Sequence, residues 1–137
     1  DGNLADCNSI EECNDLTGID FGEKSVEFAN NYVEANKLES KAKFIVKDVT
    51  DTGFRDGQFG FAVSNGVFHH LPENNIPIAL KEVARVLKPG GFLVWVCADW
   101  RDGNEFRSFH TDSIQMFKNV GLKYHDLIVM KNNFLLH

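Results

Sequence analysis

Between Ile76 and Ala98 the chain changes from the period of an α-helix to that of a buried strand. Apolar residues recur every three or four positions from Ile76 to Leu87, which predicts an amphipathic helix with Pro77 in its first turn. The sequence "LKPGG" follows, in which proline stops the helix and glycine permits a positive φ. The run "GFLVWVCA" (91–98) is almost entirely apolar, as expected of a parallel strand buried on both faces. This succession predicts a helix that leads into an inner strand of a parallel sheet.

The rest of the chain shows the same alternation of periods. Further strands are predicted at 15–20, 43–49, 58–64 and 122–130, and further helices over Glu23–Leu38 and Thr111–Val120, the second capped by Thr111 and ended by Gly121. Strands alternating with helices imply βαβ units, and therefore an α/β fold with a mostly parallel sheet. Residues 99–110 are expected to form a short loop whose candidate substrate contacts are Trp100, Arg101, Phe106, Arg107 and His110.

Composition limits the class of protein. A chain of 137 residues that is 43% hydrophobic and has 12 Phe can build one core, so residues 1–137 are predicted to form a single domain. No apolar run reaches the roughly 18 residues of a membrane helix and no signal peptide is recognised, so we expect no membrane partner and a cytoplasmic location. The net charge of −6, without a basic run, argues against a nucleic-acid partner. Three cysteines without metal-type spacing indicate reduced thiols and no metal site.

The first candidate for chemistry is Asp20, at the tip of a predicted strand and just before a helix. A carboxylate there can accept hydrogen bonds from the two hydroxyls of a ribose, and a glycine-rich turn is then expected roughly 20 residues upstream. Gly2 lies 18 positions before Asp20, where the last glycine of such a turn would fall, and a first helix is predicted from Asn3 to about Asn14. A solvated loop carboxylate and a surface-turn glycine are the alternatives for these two residues.

Two adjacent histidines follow the predicted strand at 58–64. In "SNGVFHHLPE" (64–73) the pair Asn65-Gly66 ends the strand, so His69 and His70 are expected at the edge where open α/β sheets bind ligands. A neutral imidazole could take the proton of a hydroxyl or thiol acceptor, and His70 is the catalytic candidate, with His69 packed behind it. A structural role for both rings is the alternative.

Four segments, in this order and at this spacing, resemble the class I methyltransferases that use S-adenosylmethionine. They are "TGIDFGEKSVEFAN", "KFIVKDVTD", "FAVSNGVFHHLPE" and "ALKEVARVLKPGGFLVW". The resemblance covers the chain from Gly2 onward and implies a Rossmann-like, doubly wound, mostly parallel sheet with flanking helices. It also implies that the chain begins inside the glycine-rich cofactor turn, so that the first strand is missing from it. In the family that strand lies in the middle of the sheet, between the strands that here end at Asp20 and Ser64.

The resemblance further implies which residues contact S-adenosylmethionine. These cofactor-binding candidates are Gly2, Asp20, Phe21, Asp48, Val49, Asn65 and Gly66. Asp20 would hold the ribose hydroxyls, Phe21 would lie against the adenine, and Asp48 would accept from the adenine amino group. Asn65 with Gly66, at the end of the strand at 58–64, would border the methionine part. An Asx turn is the alternative for Asp48, and a core position is the alternative for Phe21. The activity implied is methyl transfer from S-adenosylmethionine to an acceptor that the sequence does not identify. The aromatic residues of 99–110 favour a small molecule as that acceptor.

Other functional classes fit the sequence less well. A nicotinamide dehydrogenase also places an acidic residue after the second strand, but it is not expected to carry "HHLPE" and "LKPGG" together. A methyltransferase acting on nucleic-acid amino groups would show Asn or Asp, two prolines and an aromatic residue where this chain has "NGVF". The remaining alternative is a non-catalytic fragment or partner subunit that binds no cofactor by itself. Because apolar strand edges beside the missing strand would be unpaired, we also expect a homodimer or a strand supplied from upstream.

Overall fold

The computed structural model describes residues 15–65 and 71–129, except for the side chains of Asn65, Trp100 and Arg107. These residues form six strands and three α-helices. The strands are β1 (Leu16–Asp20), β2 (Ala42–Val46), β3 (Phe59–Asn65), β4 (Leu87–Val96), β5 (Trp100–Asp102) and β6 (Glu105–Arg107). The helices are α1 (Glu23–Ala35), α2 (Ile76–Val86) and α3 (Phe109–Asn119). The alternation expected of an α/β fold is confirmed, and the single domain over residues 1–137 stays a prediction.

Four of the six described strands form two parallel pairs. β1 pairs with β2 from Leu16↔Ala42 to Asp20↔Val46, and β3 pairs with β4 up to Asn65↔Val96. Among the described strands no hydrogen-bonded ladder joins one pair to the other. Parallel pairing is therefore as predicted, and the sheet is interrupted where the resemblance placed the missing strand.

A helix side chain closes the outer edge of β2. The N–H of Phe44 donates to Asn30 Oδ1, and Asn30 Nδ2 donates to the carbonyl of Phe44, both at 3.0 Å. The neighbouring backbone bonds, such as Lys47 N–H to the Asp20 carbonyl at 3.1 Å, point the other way, towards β1. Because the amide of Asn30 occupies both outward backbone groups of Phe44, the central residue of β2, we infer that a further strand would extend this pair beside β1.

The core lies between α2, α3 and one face of the β3–β4 pair. Ala79 and Leu80 of α2 are fully buried, as the helical stripe predicts. Trp95 of β4 packs against them, and its ring meets that of Phe117 edge-on at 5.0 Å. None of the described helices is long and apolar enough to cross a bilayer. The cytoplasmic location stays a prediction.

The opposite face of the β3–β4 pair is exposed, so the expectation that residues 91–98 are buried on both faces is wrong for this part of the chain. Phe61 and Val63 of β3 lie beside Phe92 and Val94 of β4, and all four side chains are 40–59% exposed. The physical reason is the position of the helices, because α2 and α3 pack on the face that carries Trp95. We call these four residues the apolar sheet face.

The "LKPGG" segment turns the chain as predicted, but it does so inside β4. The strand begins at Leu87, opposite Phe59, and the next partner of β3 is Phe92, so residues 88–91 form an irregularity in the ladder. Gly90 has φ 78, which supplies the turn. A Cβ on Gly91 would lie 2.8 Å from the Lys88 carbonyl and 3.0 Å from that of Gly60, so this position requires glycine because two backbone oxygens approach it.

Three predictions at the carboxyl end need correction. The segment 99–110 contains the antiparallel hairpin β5–β6, with Gly103 at φ 60, instead of a plain loop. Helix α3 starts at Phe109, so Thr111 lies inside it and is not its cap, although Gly121 has the expected positive φ of 89. Residues 122–129 form no strand, and Ile128 is 85% exposed. Apolar residues alone do not make a strand, because a strand also needs a neighbouring edge to pair with.

Candidate functional site

The carboxyl end of β1 presents Asp20 and Phe21 outward. The Gly22 N–H donates to Asp20 Oδ1 at 2.7 Å, which fixes the carboxylate against its own turn. A Cβ on Gly22 would lie 3.1 Å from that oxygen, so the absence of a side chain there lets the turn close. Phe21 is 80% exposed, which rules out the alternative of a core position. One carboxylate oxygen is thus held by the turn, and an exposed aromatic ring stands next to it in sequence.

Asp48, two residues beyond β2, forms the Asx turn that the sequence left as an alternative. Its Oδ1 accepts from the Thr50 N–H at 2.8 Å and from Thr50 Oγ1 at 2.7 Å. The hydrogen bonds from the Thr50 hydroxyl and N–H hold the pKa of the Asp48 carboxyl below its usual range. The next residue, Val49, is half-buried and packs against the α2 core. One carboxylate oxygen of Asp48 accepts hydrogen bonds within this turn, as one carboxylate oxygen of Asp20 does in the turn after β1.

A charged network joins the loop after β2 to α2. Thr52, which is buried, donates to Glu82 Oε1 through its N–H at 3.0 Å and through its hydroxyl at 2.7 Å. Arg85 binds both oxygens of Glu82, at 2.6 and 2.9 Å, and also donates to Asp56 Oδ1 at 2.6 Å. The pKa of Glu82 falls to about 2, mainly because Arg85 donates a hydrogen bond to it. Burial of the carboxyl acts in the opposite direction. Since α2 packs on β3–β4, this network links the two strand pairs.

The end of β3 carries the remaining candidates. The backbone of Asn65 pairs with Val96 at the end of β4, but the Asn65 side chain is not described. Gly2, Gly66, His69 and His70 lie outside the described residues, as does the predicted first helix. Their roles, including that of His70 as a base, stay predictions.

Asp99 and His110 form a close pair that the sequence analysis did not assemble. Asp99 Oδ1 accepts the His110 N–H at 3.1 Å, and Asp99 Oδ2 lies 2.7 Å from His110 Nδ1. The pKa of Asp99 is lowered mainly by the hydrogen bond from the backbone N–H of His110. Burial acts in the opposite direction, and the hydrogen bond and charge of the His110 ring lower the pKa further. The available signal was an acidic residue directly after an apolar strand, the same pattern that singled out Asp20. What the sequence could not show is that the β5–β6 hairpin returns His110 to that position.

Two other features carry no chemistry. Burial and the charge of Asp99 raise the pKa of the Cys97 thiol, so that the thiol stays protonated and weakly reactive. A shallow depression of about 340 Å³ lies between α1 and β2, lined in part by Ala42 and Lys43. It is at the amino end of β2, whereas Asp48 follows the carboxyl end. The depression therefore does not belong to the edge that carries the candidate residues.

Comparison with known proteins identifies the family. A family model described as a methyltransferase domain matches residues 2–95. The chain is 34% identical over 90 residues to the 2-methyl-6-phytyl-1,4-hydroquinone methyltransferase of Synechocystis, covering 66% of this chain and 26% of that protein. It is 23% identical over 114 residues to a protein-lysine N-methyltransferase of Saccharomyces cerevisiae, covering 77% and 50%. The chain therefore spans half or less of the length of these two relatives.

A solved structure agrees with these relatives. The SAM-dependent methyltransferase of Methanosarcina mazei matches at a TM-score of 0.55 and 31% identity, over 59% of this chain and 41% of that one. The family model covers the strands whose ends carry Asp20, Asp48 and Asn65. With parallel strands, acidic residues at their carboxyl ends and a family match over more than half of its length, the chain belongs to the methyltransferase domain family of class I, S-adenosylmethionine-dependent enzymes.

Proposed function

We propose that this chain is the cofactor-binding part of an enzyme that transfers a methyl group from S-adenosylmethionine to a small-molecule acceptor. The observation that carries the proposal is the matched arrangement of Asp20 and Asp48. These carboxylates follow neighbouring parallel strands, and each spends one oxygen on a hydrogen bond within its own turn. Their remaining oxygens are acceptors at the edge where α/β sheets bind ligands.

The donor and acceptor chemistry of these residues fits S-adenosylmethionine. Ribose hydroxyls and the adenine amino group are hydrogen-bond donors, and ionised carboxylates are acceptors only. Asp20 Oδ2 would accept from the ribose, Asp48 Oδ2 would accept from the adenine, and the exposed ring of Phe21 would lie against the base. Gly2, Val49, Asn65 and Gly66 complete the proposed site by resemblance. The bound cofactor supplies a methyl group on a positively charged sulfur.

One part that the chain's own residues play in the reaction is positioning. Methyl transfer requires that the acceptor atom and the methyl carbon be held close, aligned and away from water. The Asp48 turn is fixed to α2 through Thr52 and Glu82, and α2 is fixed to β4 through the core. The two strand pairs are thus held in one arrangement across the interruption in the sheet, which keeps the proposed adenine and methionine contacts at a constant separation.

A small-molecule acceptor is favoured by the relative that acts, by its name, on a hydroquinone and shares 34% identity with the chain. The second candidate is a protein lysine, favoured by the yeast relative, whose match covers 77% of the chain. The absence of a nucleic-acid partner stays a prediction based on charge. The alternative to all of these enzymes is a non-catalytic fragment or partner subunit that binds no cofactor by itself.

Calorimetric titration of the purified chain with S-adenosylmethionine tests the proposal. Asp20→Ala should weaken binding by about 1.5–3 kcal/mol, the range for losing a hydrogen bond to a charged partner. Asp15→Ala is the matched control, because Asp15 is an exposed carboxylate immediately before β1, at the opposite end of the strand. Equal affinities of the two variants would remove Asp20 from the site. Absence of binding by the unaltered chain would favour the non-catalytic fragment or partner subunit.

A further inference from the structure

The carboxylate of Asp99 holds His110 by its backbone and its ring at the same time. One oxygen receives the backbone N–H at 3.1 Å, and the other lies 2.7 Å from Nδ1. Since a carboxylate can only accept, this contact favours the tautomer of a neutral imidazole with its hydrogen on Nδ1 and its lone pair on Nε2, which has the Thr111 hydroxyl at 3.4 Å. The His110 side chain is 40% exposed, against 22% for that of Asp99. The carboxylate is thus on the protein side of the pair, and the imidazole is accessible to a ligand.

The pair lies at the ligand-binding edge of the sheet. Asp99 comes three residues after Val96, and Val96 is paired with Asn65, the last residue of β3. Parallel strands present their carboxyl ends at the same edge, which is where ligands bind in α/β folds. The β5–β6 hairpin leaves this edge at Trp100 and returns to it before α3. The pair is therefore on the same edge of the sheet as the end of β3, the edge where the resemblance placed the methionine part of the cofactor.

Capping of a helix explains only half of this arrangement. The backbone N–H of His110 belongs to the first turn of α3, and an acceptor there satisfies a donor that has no partner within the helix. A cap needs no contact with the ring. The second oxygen of Asp99 instead fixes the ring orientation and its tautomer, as does the carboxylate behind a catalytic histidine.

We propose that Asp99 and His110 form the proton-accepting pair for the methyl acceptor, and that this acceptor reacts through a hydroxyl group; the inference rests on the proposed function. As the acceptor oxygen bonds to the methyl carbon, the bond from that carbon to the sulfonium sulfur breaks and its electron pair stays on sulfur. The hydroxyl proton passes to Nε2 of His110 and later to water. Asp99 is a positioning residue that stabilises the imidazolium charge.

The presence of such a pair discriminates between classes of acceptor. A neutral amine attacks through a free lone pair and can lose its proton after the transfer. A phenol has a pKa near 10, so at neutral pH its oxygen is a weak nucleophile unless a base takes the proton. The Asp99–His110 pair therefore favours an acceptor with a phenolic or alcoholic hydroxyl over an amine. This names the reacting group of the small-molecule acceptor in the proposed function.

The test is to record proton–nitrogen NMR spectra of the purified chain with isotope-labelled histidine, without S-adenosylmethionine and well above the ordinary imidazole pKa of about 6.5. We expect His110 in its Nδ1–H form. Asp99→Asn should convert it towards the Nε2–H form, because the Asn amide can donate to Nδ1. Asp112→Asn is the matched control, since it removes a carboxylate from the first turn of the same helix and should leave the tautomer unchanged.

Two simple probes then test the hydroxyl preference. Phenol should shift the Nε2 resonance of His110 more than anisole does, because anisole carries a methyl group in place of the hydroxyl hydrogen. An Nε2–H form in the unaltered chain, a response to Asp112→Asn equal to that of Asp99→Asn, or equal shifts with the two probes would each overturn the proposal. These measurements use no cofactor, so a failure of S-adenosylmethionine binding in the calorimetric test is distinguishable from a failure here.

Discussion

At the scale of single residues, the candidate site is made of carboxylates that each complete a local structure first. Asp20 binds the Gly22 N–H, Asp48 binds Thr50, and Asp99 binds His110. A carboxylate fixed in this way has already lost its rotamer freedom, so less entropy is lost when a ligand binds. The same hydrogen bonds explain why local sequence makes these positions recognisable, because turn chemistry depends on neighbouring residues.

The Asp48 turn gives a first prediction. Thr50→Ala removes the hydroxyl that donates to Asp48 Oδ1, so the pKa of Asp48 should rise towards its ordinary value. NMR titration of the Asp48 carboxyl carbon measures this pKa. Thr50→Ser retains the hydroxyl and should keep the pKa low. A pKa that is the same in all three proteins would show that the backbone N–H alone controls it.

Two glycines give a second prediction, because their surroundings differ. Gly91→Ala brings a methyl group against the backbone oxygens of Lys88 and Gly60, which cannot move aside, and should destabilise the chain by about 1–3 kcal/mol. Gly18→Ala would overlap the ring of Phe44, but that ring is half-buried and can rotate, so the loss should be smaller. Urea unfolding of both variants measures the difference, and the reverse order would contradict this account.

At the scale of secondary structure, the elements are joined by side chains that replace missing backbone partners. Asn30 of α1 acts as a neighbouring strand for Phe44 of β2. Glu82 of α2 receives both donors of Thr52 from the loop after β2. Such contacts hold together strands that the described part of the sheet does not connect, so their loss should affect a whole element.

Removal of the Asn30 amide is the third prediction. Asn30→Ala leaves the N–H and carbonyl of Phe44 without this partner and should lower the free energy of unfolding by about 1–2 kcal/mol, since each hydrogen bond contributes about 1 kcal/mol. Asn119→Ala, which removes an exposed amide contact with Gln115 on α3, serves as the control and should have little effect. Equal losses in the two variants would mean that Asn30 does not close the edge.

The pH dependence of the Glu82 network is the fourth prediction. The pKa of Glu82 is lowered from 4.5 to about 2 on folding, so its contribution to stability is present above pH 4.5 and is lost as pH falls towards 2. Glu82→Gln should therefore unfold at a lower temperature than the unaltered chain near neutral pH, and the difference should shrink in acid. Thermal unfolding followed by circular dichroism over this range measures it. A constant difference would show that the charge of Glu82 is not involved.

At the scale of the whole molecule, the apolar sheet face and the interruption between β1 and β3 are the features that do not fit an isolated globule. Val63, at the centre of this face, is 59% exposed. The outer edge of β2 is closed at Phe44 by Asn30, so we expect a strand that continues the sheet to enter beside β1. Exposed apolar surface of this kind favours association with another segment or another chain.

Self-association of the purified chain is the fifth prediction. It tests the homodimer expected from the unpaired strand edges, and the Val63 variant tests whether the apolar sheet face takes part. Light scattering should detect species larger than a monomer. Val63→Lys should reduce them by placing a charge in the apolar sheet face, whereas Ile78→Lys alters an exposed apolar residue of α2 elsewhere and should not. A monodisperse monomer would exclude the homodimer under these conditions.

The sequence by itself determined those features that depend on residues close together in the chain. Helix α2 follows its apolar stripe to within one residue, Gly90 and Gly121 adopt the positive φ that their turns require, and Asp20 lies at the tip of a strand. The strand of Phe59–Asn65 was predicted to within one residue at each end for the same reason. Periodicity and turn chemistry are local, so they can be read without knowing what packs against them.

Only the tertiary structure decided which surfaces have partners. The run at 122–130 has the composition of a strand, yet residues 122–129 form none, because no edge is paired with them in the described structure. The side chain of Phe92 is exposed for a similar reason, because no described helix packs on its face of the sheet. Asp99 and His110 are separated by eleven positions and meet only because a hairpin returns the chain to the end of β4. Pairing and approach of this kind depend on residues distant in sequence, which periodicity does not encode.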